Sequence, residues 1–170
     1  MSILIIGGTK FLGRHLVDSA LARGHTVTLF NRGKTNPNLF PQVETILGDR
    51  ELDLEKLASV GRAWDAVIDV AGYFPRIVGL SAAGLEGSVG RYVFISSISV
   101  YSDITKIGIN ESDPVGKIKD ESMEEITGES YGPLKALCEK ATLETYGERG
   151  LVIRPGLIVG PNDPTDRFTY

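Results

Sequence analysis

The stretch Ile5–Leu16, "IIGGTKFLGRHL", constrains the fold most, because it joins an apolar run to a helical repeat through a glycine-rich turn. The β-branched run Ile3–Ile6 predicts a strand that is covered on both faces. Apolar residues then recur at helical spacing from Phe11 to Arg23, and Gly24 stands where helices commonly end. Strand, glycine turn and helix in this order are typical of a phosphate-binding unit.

The same alternation continues along the chain and predicts an α/β fold with a doubly wound parallel sheet, which is Rossmann-like. Further strands are predicted at 26–30, 44–47, 66–70, 92–96 and 151–154, and helices at 54–59, 76–86 and 131–146. The length of 170 residues predicts one domain, residues 1–170. Residues 102–130 form a long polar connection, which is either a functional lid or a disordered surface loop.

Composition and charge narrow the function classes. The net charge is −4 and the cations are dispersed, which argues against nucleic acid as a partner but leaves a local basic patch open. Neither a membrane span nor a charged leader is present, so a cytoplasmic protein is expected. No cluster at ligand spacing indicates a metal site. Cys138, in "LKALCEKA", is predicted at a buried helix position rather than as a nucleophile.

The glycine turn matches a pyrophosphate-binding turn at three positions. Gly7, Gly8 and Gly13 supply the tight bend, the close backbone approach and the packing of helix on strand. Lys10 stands where the pattern Gly-x-x-Gly-x-x-Gly has its middle glycine. The turn tolerates Lys10 if its φ stays negative and its side chain points outward, where its charge can lie beside the cofactor phosphates. The alternative is a turn that only connects strand and helix.

The end of the second predicted strand bears on which nucleotide binds. NAD sites carry an acid about 20 residues after the turn, whereas this chain has Asn31 and Arg32. Asn31 lacks the carboxylate that repels a 2′-phosphate, and Arg32, helped by Lys34 or Lys10, can pair with one. NADP is therefore predicted in preference to NAD, against the alternative of a solvated basic turn. Asp49 either accepts a hydrogen bond from adenine or caps the following helix.

Hydroxyl residues end the predicted strand "YVFISSISVY", at the edge of the sheet where ligands bind. Later in the chain, Tyr131 and Lys135 lie four residues apart and therefore on one face of a helix. Pro133 fits between them because it falls in the first turn. Taken alone such a pair is a weak signal, and its order and context give it weight.

The chain resembles the extended and atypical short-chain dehydrogenase/reductase superfamily, in the NAD-dependent epimerase/dehydratase group, over its whole length. The segments that carry the resemblance are "GGTKFLG", "GDR", "DAVIDVAGY", "ISSISVY", "YGPLK" and "RPGLIVGPND". Its beginning is most similar to bacterial relatives of the chloroplast stem-loop RNA-binding proteins. The chain departs from the group at Lys10, at Asn31 and at Asp69, where sugar epimerases often carry His.

The resemblance implies a role for each matching residue. Tyr131 is implied to be the general acid/base, and Lys135 the cation that favours its phenolate and holds the nicotinamide ribose. Ser97 is implied to hydrogen-bond the reacting oxygen, with Ser96 and Ser99 as the neighbours that can be confused with it. Besides the residues discussed above, the implied cofactor contacts include Tyr131, Lys135, Thr9, Phe11, Leu12, Arg50, Val70, Ala71, Gly72, Arg154 and Pro155.

The implied function is NAD(P)-dependent hydride transfer at a hydroxyl or carbonyl carbon of a small-molecule substrate, such as a nucleotide sugar. Release of the reduced cofactor makes a dehydrogenase, and return of the hydride makes an epimerase or dehydratase. The alternative is a non-catalytic nucleotide-binding or RNA-binding protein on the same fold. Helix 131–146 is implied to form a homodimer interface. In the family a substrate-binding part follows "RPGLIVGPND", so a truncated and inactive chain is expected.

Overall fold

The computed structural model describes residues 1–165, and residues 166–170 of the predicted domain lie outside them. The strands are β1 Ser2–Ile6, β2 Thr26–Asn31, β3 Glu44–Leu47, β4 Trp64–Asp69, β5 Val89–Ile95 and β6 Gly150–Ile153. The helices are α1 Phe11–Ala22, α2 Glu55–Ser59, α3 Pro75–Leu85 and α4 Tyr131–Tyr146. Every predicted helix and strand is present, with ends shifted by a few residues, and the predicted fold class is confirmed.

All strands are parallel and form one sheet in the order β3-β2-β1-β4-β5-β6. Strand β1 pairs with β2 on one side and with β4 on the other, so the winding of the chain reverses beside it. A crevice opens at the carboxyl ends of the strands at such a reversal, and ligands bind there in open α/β sheets.

Alternation along β1 explains how the sheet is covered on both faces. Ile3 and Ile5 belong to an apolar cluster with Val17 of α1. Leu4 and Ile6 belong to a second cluster, on the other face, that contains residues of α2, α3 and α4. Successive side chains of a strand point to opposite faces, so the unbroken apolar run of β1 is what a central parallel strand requires.

The turn between β1 and α1 depends on a close backbone contact. A Cβ on Gly13 would lie 2.8 Å from the Cα and 2.9 Å from the nitrogen of Gly8, and Gly8 itself has a φ of +95°. Lys10 has a φ of −131° and is exposed. It therefore meets both conditions for a lysine in this turn, a negative φ and an outward side chain. Phe11 follows the two glycines of this turn as a non-glycine residue with a positive φ, at +35°.

The connection 102–130 contains no α-helix or extended strand, and its contacts attach it to the carboxyl edge of the sheet. Gly116 N donates to Val100 O, in the segment after β5, at 2.7 Å, and within the connection Ser102 N donates to Pro114 O at 3.0 Å. Further along, Glu124 forms an ion pair with Arg76 at the start of α3. These contacts place the connection beside the crevice.

Cys138 occupies the buried helix position that its sequence context predicts. Cys138 and Trp64 are buried in the core, and burial raises the pKa of the Cys138 thiol to about 12, as expected of a packing residue. His15 is exposed on α1 and shares a hydrogen bond with Pro161 O at 2.9 Å. Across residues 1–165, no helix combines the length and apolar character that crossing a membrane requires.

We expect Gly13→Ala to lower the free energy of unfolding by about 2–4 kcal/mol, because the new methyl group meets backbone atoms of Gly8 that cannot rotate away. Gly79→Ala in α3 is the matched control, since its Cβ would meet only Ala141 Cβ, at 3.9 Å. The control should gain about 0.5–1 kcal/mol from helix propensity. Urea unfolding measures both, and equal stability of the two variants would contradict the proposed contact.

Candidate functional site

A cavity of about 820 Å³ occupies the crevice at the carboxyl ends of the strands. Its walls are the glycine turn, the segments after β2, β3, β4 and β5, the first turn of α4 and the segment after β6. It brings together most of the predicted site residues: Gly7, Gly8, Thr9, Lys10, Phe11, Leu12, Gly13, Asn31, Arg32, Asp49, Arg50, Val70, Ala71, Ser97, Tyr131, Lys135 and Pro155.

Two predicted cofactor residues, Gly72 and Arg154, do not line this cavity. Gly72 lies behind the wall, where its carbonyl accepts a hydrogen bond from Lys135 Nζ at 2.8 Å. The guanidinium of Arg154 pairs with Glu139 of α4 at 2.6 Å and lies 4.8 Å from the ring centroid of Tyr101. Arg154 therefore ties the segment after β6 to α4, and its contact with a cofactor stays a prediction.

The glycine turn forms one wall and has the properties of a phosphate cradle. A Cβ on Gly7 would lie 2.8 Å from Val70 Cγ2, and one on Gly8 would lie 2.6 Å from Leu29 Cδ2. Lys10 is the N-cap of α1, and its side chain caps none of the backbone N–H groups of the first turn, whose residues Phe11 and Leu12 line the cavity. With the exposed Lys10 ammonium beside them, these donors fit the pyrophosphate of a dinucleotide.

At the end of β2, Asn31 is held by local hydrogen bonds. Its Oδ1 accepts from Gly33 N at 2.8 Å, and its Nδ2 donates to Gly7 O at 3.2 Å. The neighbouring Arg32 is 62% exposed at its side chain and reaches to 3.9 Å from the Asp49 carboxylate. Neither Asn31 nor Gly33 presents a negative charge here. The Arg32 cation and the Asp49 carboxylate thus lie side by side at this end of the cavity.

Asp49 does not cap the following helix, so that alternative is wrong. Its Oδ1 accepts from Glu51 N at 3.0 Å in a local turn, whereas α2 begins later and has Leu54 at its N-cap. The carboxylate remains about one-third exposed in the cavity wall. Its position is compatible with the predicted contact to an adenine amino group.

Arg50 was predicted to contact the cofactor, but its guanidinium is engaged by groups of the protein. Its guanidinium forms a two-pronged ion pair with the fully buried Asp69, at 3.0 and 2.7 Å, and also donates to Ser81 Oγ. Burial opposes ionisation of Asp69, but the charge and hydrogen bonds of Arg50 outweigh it and hold the pKa of Asp69 below its ordinary value. Arg50 lines the cavity without offering it a free charge.

Lys135 projects its ammonium into the wall between β4 and β5. The Nζ donates to Gly72 O at 2.8 Å and to Ile95 O at 2.7 Å, and it lies 4.1 Å from the ring centroid of Phe94. The residue is only 4% exposed, and this burial lowers its pKa to about 8. Two carbonyl groups thus fix the position of a buried cation at the cavity surface.

The serine segment after β5 and the first turn of α4 are in direct contact. Ser97 Oγ accepts from Ser99 N at 3.1 Å and also shares a hydrogen bond with Ser99 Oγ. A Cβ on Gly132 would overlap the carbonyl oxygen of Ser99, so only glycine lets α4 approach this closely. The contact brings Tyr131 to the same cavity wall as Ser97. Ser96 Oγ, by contrast, is buried with no partner among the described residues.

A second cavity of about 570 Å³ adjoins the first and shares Ser99 and Tyr131 with it. Its other walls come from Tyr101 and Ser102, from Gly116 and from residues 126–129 and 132–133. The long connection therefore contributes to a cavity that ends at the Tyr131 side chain. Within residues 1–165, no group of three or more His, Cys, Asp or Glu is arranged to hold a metal ion.

Fold and cavity together define a dinucleotide-binding domain of the short-chain dehydrogenase type. The family of NAD(P)H-binding proteins matches residues 7–135, most of the chain. The chain belongs to this family, within the extended short-chain dehydrogenase/reductase superfamily that includes the NAD-dependent epimerases and dehydratases.

Individual relatives agree with this assignment. UDP-glucose 4-epimerase of Neisseria meningitidis is 31% identical, covering 82% of this chain and 46% of that protein. The chloroplast stem-loop binding protein of 41 kDa b from Arabidopsis thaliana is 28% identical, covering 94% of this chain and 42% of its own. UDP-N-acetylglucosamine 4-epimerase from Bacillus cereus superimposes with a TM-score of 0.75 at 22% identity, covering 99% of this chain and 63% of that one. The chain spans about half the length of the curated relatives it matches.

The lowered pKa of Lys135 makes a testable prediction about stability. Between pH 8 and about 10.4 the unfolded chain keeps the proton on this lysine while the folded chain loses it, so stability should rise with pH by about 2–3 kcal/mol from this group. We expect Lys135→Met to lack that rise, whereas Lys140→Met, on the exposed face of the same helix, should retain it. Urea unfolding of the three proteins at pH 7.5 and 10 measures the difference, and parallel pH profiles would contradict it.

Proposed function

We propose that the protein is an NAD(P)-dependent oxidoreductase, epimerase or dehydratase that transfers hydride at a hydroxyl or carbonyl carbon. The observation that carries the proposal is the joining of a phosphate-binding glycine turn with Ser97, Tyr131 and Lys135 in one cavity. Its similarity to nucleotide-sugar epimerases favours a sugar nucleotide as the substrate class.

Each side chain of the site has a distinct task in this proposal. Tyr131 takes the proton from the substrate hydroxyl, or returns it, and Ser97 hydrogen-bonds the same oxygen and orients it. Lys135, held by its two carbonyl partners, stabilises the phenolate of Tyr131 by its charge and binds the nicotinamide ribose. The bound nicotinamide supplies the hydride acceptor. The glycine turn and Lys10 bind the pyrophosphate.

The cavity shared by Tyr131 and the long connection is the proposed place of the substrate. It meets the cofactor cavity at Tyr131 and Ser99, so a substrate held there presents its hydroxyl to the phenol. Tyr101, Ser102 and Thr127 provide hydrogen-bonding groups for a polyhydroxylated ring.

In the complete protein, Tyr131→Phe should remove turnover, by a factor of about 10³ or more, because phenylalanine lacks the hydroxyl that we propose carries the proton. It should leave affinity for NAD(P)⁺ nearly unchanged. Activity is followed by nicotinamide absorbance and affinity by calorimetry, with Tyr146→Phe in the core as the matched control. Turnover that survives in Tyr131→Phe would remove Tyr131 from its role.

We further propose that NADP is preferred to NAD, through Arg32 with Lys34 and Lys10. Arg32→Ala should then weaken NADP⁺ binding about tenfold, the loss of one charge-assisted pair, and leave NAD⁺ binding unchanged. Arg91→Ala, exposed on β5 and outside the cavity, is the control and should change neither. Calorimetric titration with NADP⁺ and with NAD⁺ measures both affinities. An equal loss of affinity for the two nucleotides would show that Arg32 does not select the 2′-phosphate.

A second candidate function is binding of structured RNA, which the similarity to the chloroplast stem-loop binding protein favours. The exposed cations Lys10, Arg32 and Lys34 at the cavity mouth are the surface that such a ligand would use. Salt-dependent binding to a stem-loop RNA, competed by NADP⁺, would support this function.

We also propose a homodimer through α4, on whose surface Leu143 is 43% exposed. Sedimentation measures the mass of the particle in solution, and a monomer would contradict this proposal.

A further inference from the structure

Tyr73 is a large aromatic residue in the cavity wall that the proposed mechanism does not use. It follows β4 in the motif "DVAGY" and lines the cavity, and the residue as a whole is 47% exposed. Exposed tyrosines are common on protein surfaces, but an aromatic ring inside a ligand cavity is a ready contact for a flat or apolar ligand face. The question is which part of a ligand it meets.

The neighbours of Tyr73 locate it at one end of the cavity. Its backbone follows Gly72, whose carbonyl binds Lys135 Nζ, and that Nζ lies 5.6 Å from the centroid of the Tyr73 ring. Burial, together with the nearby Tyr131 and Asp69, raises the pKa of the Tyr73 phenol, so the ring stays neutral. Tyr73 therefore lies beside both Lys135 and Tyr131.

The opposite end of the cavity is formed by the segments after β2 and β3, with Asn31, Arg32 and Asp49. The glycine turn lies between the two ends, after the central strand β1. A dinucleotide that places its pyrophosphate on this turn and its adenosine at Arg32 must direct its other ring toward Lys135 and Tyr73.

We propose that the ring of Tyr73 packs against the nicotinamide ring of the bound dinucleotide and is a binding residue for it. This inference rests on the proposed function. A flat aromatic ring is a suitable surface for the nicotinamide ring, and the oxidised form adds a cation–π attraction because it carries a positive charge. The phenol hydroxyl is not needed for either contact.

The test compares two ligands that differ only in the nicotinamide ring, NADP⁺ and 2′-phospho-ADP-ribose, by calorimetry. Tyr73→Ala should weaken NADP⁺ about fivefold and leave 2′-phospho-ADP-ribose unchanged, the loss expected for one aromatic contact. Tyr73→Phe should bind both ligands as the parent does, because it keeps the ring. Leu80→Ala is the control, since Leu80 is 43% exposed on α3 and lies outside the cavity.

Equal affinity of the parent and Tyr73→Ala for NADP⁺ would overturn the inference, as would an equal loss for the two ligands, which indicates a contact to the shared part or a disturbed fold. Thermal unfolding of each variant identifies the latter. The parent chain is also titrated with NAD⁺ and ADP-ribose, which lack the 2′-phosphate. If it binds none of the four nucleotides, the proposed function is overturned instead. The two failures are therefore distinguishable in one set of titrations.

Discussion

The buried ion pair between Arg50 and Asp69 holds the binding edge of this sheet together. Asp69 is fully buried at the end of β4, and its carboxylate accepts two hydrogen bonds from Arg50, one from Tyr92 and one from the backbone of Ala71. Taking one partner away from such a pair costs about 3–5 kcal/mol, because the remaining charge is left unpaired in a poorly polarisable interior. The lowered pKa of Asp69 keeps the carboxylate charged, and so the network intact, well below neutral pH.

The shape of the cavity follows from this network. The bond from Ala71 N to Asp69 fixes the loop after β4, whose next residues carry the Lys135 partner Gly72 and the ring of Tyr73. Through Ser81 the guanidinium of Arg50 also ties α3 to the segment after β3. The wall of the site is thus set by contacts within the protein, which is what a site needs in order to bind without reorganising.

Local signals in the sequence were sufficient for the fold and for much of the site. The glycine turn, Lys10 included, is specified within a few residues, and the conditions placed on Lys10 are met. The roles of Arg50 and Arg154 depend on partners far along the chain, Asp69 and Glu139, which residue types alone do not pair. The resemblance in the motifs "GDR" and "RPGLIVGPND" assigned both cations to the cofactor. A motif indicates that a residue lies near a site, but it does not show which group its side chain pairs with.

The charges of the cavity are divided between its two ends, and this division has a chemical consequence. The cations at the Arg32 end are exposed, so in the proposed function they would act through water on a phosphate and contribute mainly to affinity and to nucleotide choice. The cation at the other end, Lys135, is buried and fixed by Gly72 and Ile95. A charge in that environment acts strongly on a neighbouring phenol, because little solvent screens it. In the proposed function, binding energy would therefore come from one end of the cavity, while the cation that we propose to act on Tyr131 is kept dry and immobile at the other.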